Sequence, residues 1–297
     1  MSKRTLAILA AFGATLIYAL NHTIAKGVMP THVKPFAFIF LRVTGAAILF
    51  WLISFFGPKE KIEKSDYLRM FFAALLGMVI NMLAFFKGLQ LSTPINSAVL
   101  VTISPIVIVI LSALFLSEKV TLNKGLGIFL GLVGALASIL FGAELRQDAP
   151  NIPLGNFLMI VNATAYGSYL VVAKKLVTKY HPFTFMKWLF TIAVVINFPI
   201  TIGEFMEIQW ATMPLWAYGV ILFVILGTTF CTYLFNIYAM TQLRASTIGA
   251  FIYLQPVLGI LFAIAVGKDQ LTLVKVLAGC CVLVGVYLAS KKPKPNP

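Results

Sequence analysis

Charge is scarce in this 297-residue chain: charged residues make up 11% of it, and only nine are acidic. Hydrophobic residues fill 60% and the mean hydropathy is +0.96, too little polar surface to wrap a soluble core, so the surrounding solvent must be lipid. Metal-ligating chemistry is thin as well. Cys231, Cys280 and Cys281 all sit in apolar segments with no histidine or acid at ligand spacing, which leaves them a packing role. The three histidines are isolated and no central carboxylate pair or zinc signature exists, so we expect no metal, no cofactor and no enzyme activity. All nine acids, Glu60, Glu63, Asp66, Glu118, Glu144, Asp148, Glu204, Glu207 and Asp269, fall in loops or at the ends of apolar runs. A mid-membrane carboxylate relay is therefore missing, so the protein either is uncoupled or titrates another group, with His22 the leading one.

What is abundant is repetition. Shifting SAVLVTISPIVIVILSALFLSEKVT (Ser97 to Thr121) by 151 positions lays it on IGAFIYLQPVLGILFAIAVGKDQLT (Ile248 to Thr272), with Pro256 on Pro105, Asp269 on Glu118 and Thr272 on Thr121. The register continues: Leu122, Lys124, Leu126, Leu132, Val133 and Gly134 meet Leu273, Lys275, Leu277, Leu283, Val284 and Gly285. One unit is written twice.

Apolar runs of about 20 residues, enough to cross about 30 Å of hydrocarbon, predict ten helices. They lie near 6 to 26, 35 to 56, 67 to 88, 94 to 116, 123 to 141, 153 to 174, 183 to 203, 214 to 238, 246 to 266 and 271 to 290. The expected organisation is a first repeat over 1–142, a linker at 143–153, a second repeat over 154–290 and a basic tail at 291–297. The basic start at Ser2 to Arg4 leads into a run that ends at Asn21, His22 and Lys26, not at a small-residue cleavage site, so the first span is expected to be retained.

The net charge of +14 reads as membrane topology, not nucleic-acid binding, because the basic residues sit in short loops and at the C-terminus. With the N-terminus inside, the inner side carries Lys3, Arg4, Lys59, Lys61, Lys64, Arg69, Lys119, Lys124, Lys174, Lys175, Lys179, Arg244, Lys291, Lys292 and Lys294. The outer side keeps Lys26, Lys34, Arg146, Lys268 and Lys275. This bias predicts both termini in the cytoplasm. Five spans per copy then turn the second copy upside down, the inverted-repeat plan of secondary transporters with a site near the midplane. The fold class expected is an all-α membrane protein of ten transmembrane helices in two inverted five-helix repeats.

The stretch FFKGLQLSTPINSAVLVTISPIVIVILSALFLSEKVTLNKGLGIFLGLVGA, echoed as YLFNIYAMTQLRASTIGAFIYLQPVLGILFAIAVGKDQLTLVKVLAGCCVLVGV, resembles the EamA domain of the drug/metabolite transporter superfamily, twice over. The resemblance implies a ten-helix inner-membrane exporter of small metabolites, in some members amino acids or toxic amphipathic compounds. It also implies an arginine in the second helix, here Arg42. Asp269 departs from the glutamate usual in that family.

Polar residues inside apolar helices are costly and mark candidate sites. The first helix offers Asn21 and His22, with Thr15 and Tyr18 nearby, and its repeat mate offers Asn162, Tyr166 and Tyr169. Arg42 lies about 10 Å into its span at 1.5 Å per residue; either carbonyls and water neutralise it, or it faces the cavity and attracts an anionic group. Lys87 and Lys187 are expected to snorkel. Aromatics beside amides, Phe85 near Asn81, Tyr233 near Asn236 and Tyr253 near Gln255, would line a cavity suited to an uncharged or zwitterionic amphipathic substrate. Pro105 and Pro256 break helices at equivalent depth, and paired breaks point to a central site. Glu118 and Asp269 read as helix-end devices, gaining from the dipole of the next helix.

The expected function is export of small polar or amphipathic, amino-acid-like metabolites by alternating access. The rivals are an organic-anion or sugar-phosphate exchanger, which needs Arg42 and Lys87 to converge, and a non-transporting scaffold subunit with a closed apolar centre. Expected partners are the substrate and the bilayer, with protons added if the protein is coupled through His22 rather than uncoupled, in a monomer or a homodimer.

Overall fold

The computed structural model describes residues 2–25, 28–29, 31–92, 100–140, 150–265 and 272–290, and at 22, 23, 25, 138 and 263 the backbone alone. Besides a single short turn of 3-10 helix at Trp210–Thr212, these residues form ten long helical segments and no strand. They are α1 (Lys3–Ala25), α2 (Pro35–Ser54), α3 (Lys64–Leu91), α4 (Ser104–Leu116) and α5 (Leu122–Leu140). Then follow α6 (Ile152–Lys179), α7 (Pro182–Met206), α8 (Leu215–Gln242), α9 (245–265) and α10 (Leu273–Ser290). Eight of them are long and apolar enough to cross a bilayer, and α4 and α5 are shorter apolar helices.

Local sequence sets the helix starts. Pro35, Pro153 and Pro182 stand in the first turns of α2, α6 and α7, where their missing N–H costs nothing. Asn151 Oδ1 caps α6 by accepting from Leu154 N at 3.1 Å, and the Thr121 and Thr272 hydroxyls accept from Lys124 N and Lys275 N to open α5 and α10.

Packing repeats the duplication. Helix α1 lies on α8 and α9, while α6 lies on α3 and α4; α2 packs on α7, and α5 on α10. Adding five to each label maps these pairs onto one another, which is the contact pattern of two halves related by a twofold axis. Five crossings per half make that relation an inversion in the membrane. At the α5–α10 seam, a Cβ on Gly127 would stand 2.6 Å from Gly285 O, and one on Gly134 would stand 2.6 Å from Ala278 O. The two backbones touch, so the small-residue stripe serves packing within the protomer.

Candidate polar centre

Two features absent from the apolar pattern organise the middle of the bundle. Within α3, residues Leu75–Ile80 take the wide π-helical turn, and within α8 residues Val224–Cys231 do the same. Such widened turns free backbone carbonyls and gather at functional sites. The two have different local causes. At Gly77 the Tyr169 ring presses so close that a Cβ would meet it at 2.5 Å. In α8 threonines take up the loosened turn: Thr229 Oγ1 donates to Val224 O at 2.9 Å, and the Thr232 hydroxyl donates to Thr228 O. A Leu-Gly pair at Leu76–Gly77 and at Leu226–Gly227 was the available sequence signal.

The other half reads each widened turn. From α6, Asn162 Nδ2 donates to Asn81 O at 2.9 Å, and Asn81 Nδ2 returns a bond to Asn162 O at 3.3 Å. From α1, Asn21 Oδ1 accepts from Thr228 Oγ1 at 3.0 Å. Helix α7 sends Asn197 to Met78 O at 3.5 Å, and α2 sends Arg42, whose Nε donates to Thr229 Oγ1 at 3.0 Å. Arg42 is 7% exposed, and its guanidinium carbon lies 5.7 Å from the Phe86 ring centroid. Among the described residues no carboxylate forms a salt bridge with it.

Tyrosines complete the centre. Tyr18 of α1, Tyr166 and Tyr169 of α6 and Tyr233 of α8 lie near one another, and Arg42 lies near Tyr233. The Tyr166 and Tyr169 rings are 6.1 Å apart, and Tyr233 meets Phe190 edge-on at 5.3 Å. Tyr169 and Tyr233 are buried. Asn21, Arg42, Asn81, Asn162, Tyr166, Tyr169 and Tyr233 therefore gather around the paired π turns.

Other expected positions fall elsewhere. Phe86 lies against Arg42, and Phe85 meets the Phe86 ring edge-on at 5.4 Å. Tyr253 packs on Gly131 of α5, and its buried hydroxyl has no hydrogen-bond partner among the described residues. Asn236 and Gln255 are half-buried. Pro105 stands in the first turn of α4 and is buried, while Pro256 follows the turn at residues 252–253 that divides α9. The His22 side chain and Asp269 lie outside the described residues. Lys87 is exposed and donates to Gln90 at 3.0 Å, so it does not converge with Arg42. Lys187 sits over the Trp51 ring at 4.8 Å, as a snorkelling cation does. Two cavities open away from the tyrosines, one of about 600 Å³ between Leu9 of α1, Phe183 of α7 and Phe235 of α8, the other of about 340 Å³ between α3, α4 and α6.

The acids have a shared task that sequence reasoning missed. Each of the six described ones ties the first half to the second. Glu60 accepts from His181 N at 2.8 Å and Glu63 pairs with Lys179 at 2.6 Å. Asp66 accepts from Lys179 Nζ and Tyr180 OH, both at 2.7 Å. Burial holds the Tyr180 phenol above the ordinary tyrosine range, so it remains a donor to Asp66. Glu118 accepts from Ala245 N at 3.1 Å and from the Ser246 hydroxyl, with Lys124 Nζ at 3.2 Å. It is a helix-end device, but the helix it caps is α9 of the other half, not the adjacent α5. On the opposite face Glu204 accepts from Phe36 N at 2.6 Å, and Glu207 pairs with Lys34.

Comparison with known proteins agrees with this architecture. A solved crystal structure superposes with a TM-score of 0.78 at 16% identity, covering 96% of both chains, which shows the fold. The uncharacterized transporter YyaM of Bacillus subtilis is 23% identical over 86% of this chain and 84% of its own. An uncharacterized transporter of Archaeoglobus fulgidus is 25% identical over 87% and 90%. The profile of the EamA-like transporter family matches residues 5–140 and again residues 153–291, so this chain belongs to that family and is a multi-pass membrane transporter.

Proposed function

We propose that the chain exports small amino-acid-like metabolites by alternating access, its two halves rocking around the polar centre. The observation that carries this reading is Arg42: a buried cation bonded to the Thr229 hydroxyl and lying beside the Phe86 ring, with Tyr233 near it. Burying a cation without a counter-ion is costly. A substrate carboxylate relieves that cost, while tyrosine faces accept its apolar or cationic remainder. This favours the cavity-facing reading of Arg42 over simple neutralisation by carbonyls and water. One central cation, with Lys87 turned outward, suits a zwitterion better than a sugar phosphate. The scaffold reading requires an apolar centre, and the Asn81–Asn162 and Asn21–Thr228 bonds oppose it. The proposed site is the gathered set, with His22, Asn236, Tyr253 and Gln255 as candidates for a second conformation.

The bias of basic residues supports an inner-membrane orientation with both termini in the cytoplasm. The domain division at 143–153 is likewise proposed. Counterflow in proteoliposomes tests the function across neutral and aromatic amino acids, nucleosides, sugar phosphates and organic cations. Exchange of amino acids that is lost in Arg42→Gln supports the reading; exchange confined to sugar phosphates or to organic cations overturns it.

A further inference from the structure

The cavity of about 340 Å³ has a construction that transport does not use. Its walls are apolar, from Leu111 and Phe115 of α4 and Val171 and Val172 of α6. Two cations line it, Arg69 in the early turns of α3 and Lys175 near the end of α6, and no carboxylate does. Arg69 reaches Asp66 Oδ1 only at 3.5 Å, while Oδ2 of that carboxylate accepts from Lys179 and Tyr180 at 2.7 Å, so the acid is shared among three donors and leaves the other guanidinium nitrogens of Arg69 for the cleft. Lys175 and Phe115 are exposed, Phe115 at 66%. The cleft thus opens on the bundle surface that lipid covers, with its positive charge at one helix end and its apolar walls running toward the midplane.

We propose that this cleft is a binding site for an anionic phospholipid, with the headgroup phosphate between Arg69 and Lys175 and an acyl chain against Phe115 and Val172. The charge complementarity selects the anionic class, and the apolar walls select a lipid over a free phosphate. Basic pockets between helices recognise headgroups by this chemistry. The site also straddles the two halves, since Arg69 and Phe115 belong to the first and Lys175 to the second. A lipid held there favours the arrangement in which α4 lies on α6.

Phe115→Trp supplies a reporter in the cleft. Its quenching by brominated phosphatidylglycerol and by brominated phosphatidylcholine is measured in proteoliposomes, with the parent protein's tryptophan signal subtracted. The site predicts a preference for phosphatidylglycerol on the order of thirtyfold, from about 1 kcal/mol for each of its two basic residues. The preference collapses toward unity in the Arg69→Gln/Lys175→Gln double variant and survives in Lys175→Arg. Equal quenching by the two lipids in the reporter protein overturns the proposal, as does a preference that persists in the double variant. Loss of the preference on adding millimolar glycerol phosphate also overturns it, assigning the cleft to a soluble phosphate. Elution of every variant as a single monodisperse species separates loss of the site from loss of the fold.

Discussion

The two halves share a backbone device and differ in its chemistry. Both third helices carry a π turn at matching depth, and each is met by helices of the opposite half. In the first half that turn is shaped by Gly77 against a tyrosine ring and is followed by Asn81; in the second it is held by Thr228, Thr229 and Thr232. The second helices diverge further: aligning Pro35 with Pro182 sets Leu189 opposite Arg42. Duplication accounts for the architecture, while the proposed recognition site rests on residues that one copy has and the other lacks. An asymmetric substrate, charged at one end, fits such a site better than a symmetric one.

The strongest way to break the pairing of halves is at the buried cap. Glu118→Ala strands Lys124 and the first N–H of α9, and we expect a loss of about 3–5 kcal/mol, read as a fall in thermal stability of the detergent-purified protein. Glu118→Gln keeps part of the cap and should lower folded yield more than it alters substrate selectivity.

Next in size is Arg42→Leu, which makes the second helices alike at this position. Transport is expected to fall roughly 10- to 100-fold, the worth of a charged hydrogen bond of about 1.5–3 kcal/mol. Arg42→Lys should not restore it, because a point charge does not reproduce the planar donor that bonds Thr229 and stacks on Phe86.

A smaller effect sharpens the comparison of the π turns. A methyl at Gly77 collides with the Tyr169 ring at 2.5 Å, whereas at Gly227 its nearest neighbour is the Phe223 ring at 3.2 Å. Thermal unfolding should therefore show Gly77→Ala destabilised by about 1–3 kcal/mol and Gly227→Ala by less than about 1 kcal/mol.

Smallest of all is the surface pair. Its hydrogen bond to Glu207 raises the Lys34 ammonium above the ordinary lysine range. Stability from such a raised group is present below the unfolded-state value and is lost only as pH climbs through the folded one. This pair should give no pH dependence across the neutral range, and Lys34→Met should leave the melting temperature unchanged within error.

The architecture was legible because it is written in composition and period: the 151-residue shift, the ten apolar runs and the segregation of Lys and Arg each survive without any tertiary knowledge. The centre was legible in part. Asn81, Asn162, Tyr166, Tyr169 and Tyr233 stood out as polar or amphipathic groups in apolar helices, and Arg42 as a charge there. The π turns did not, since the first exists where Gly77 meets a ring 92 residues along the chain. Glu118 showed its helix-end character locally but not its target, because the helix it caps begins 127 residues later. That Phe86 meets Arg42 is a matter of which helix face turns toward α2, and its sequence neighbours do not decide that.

Rocking of mirror halves is tested most directly by distances across the two faces. Spin labels at Lys119 and Gln242 span the face that carries Glu118 and labels at Thr31 and Gln209 span the opposite one, in a background lacking Cys231, Cys280 and Cys281. On addition of a substrate identified by counterflow, one distance should lengthen while the other shortens. Two distances that move in the same sense, or stay fixed while exchange proceeds, would contradict it.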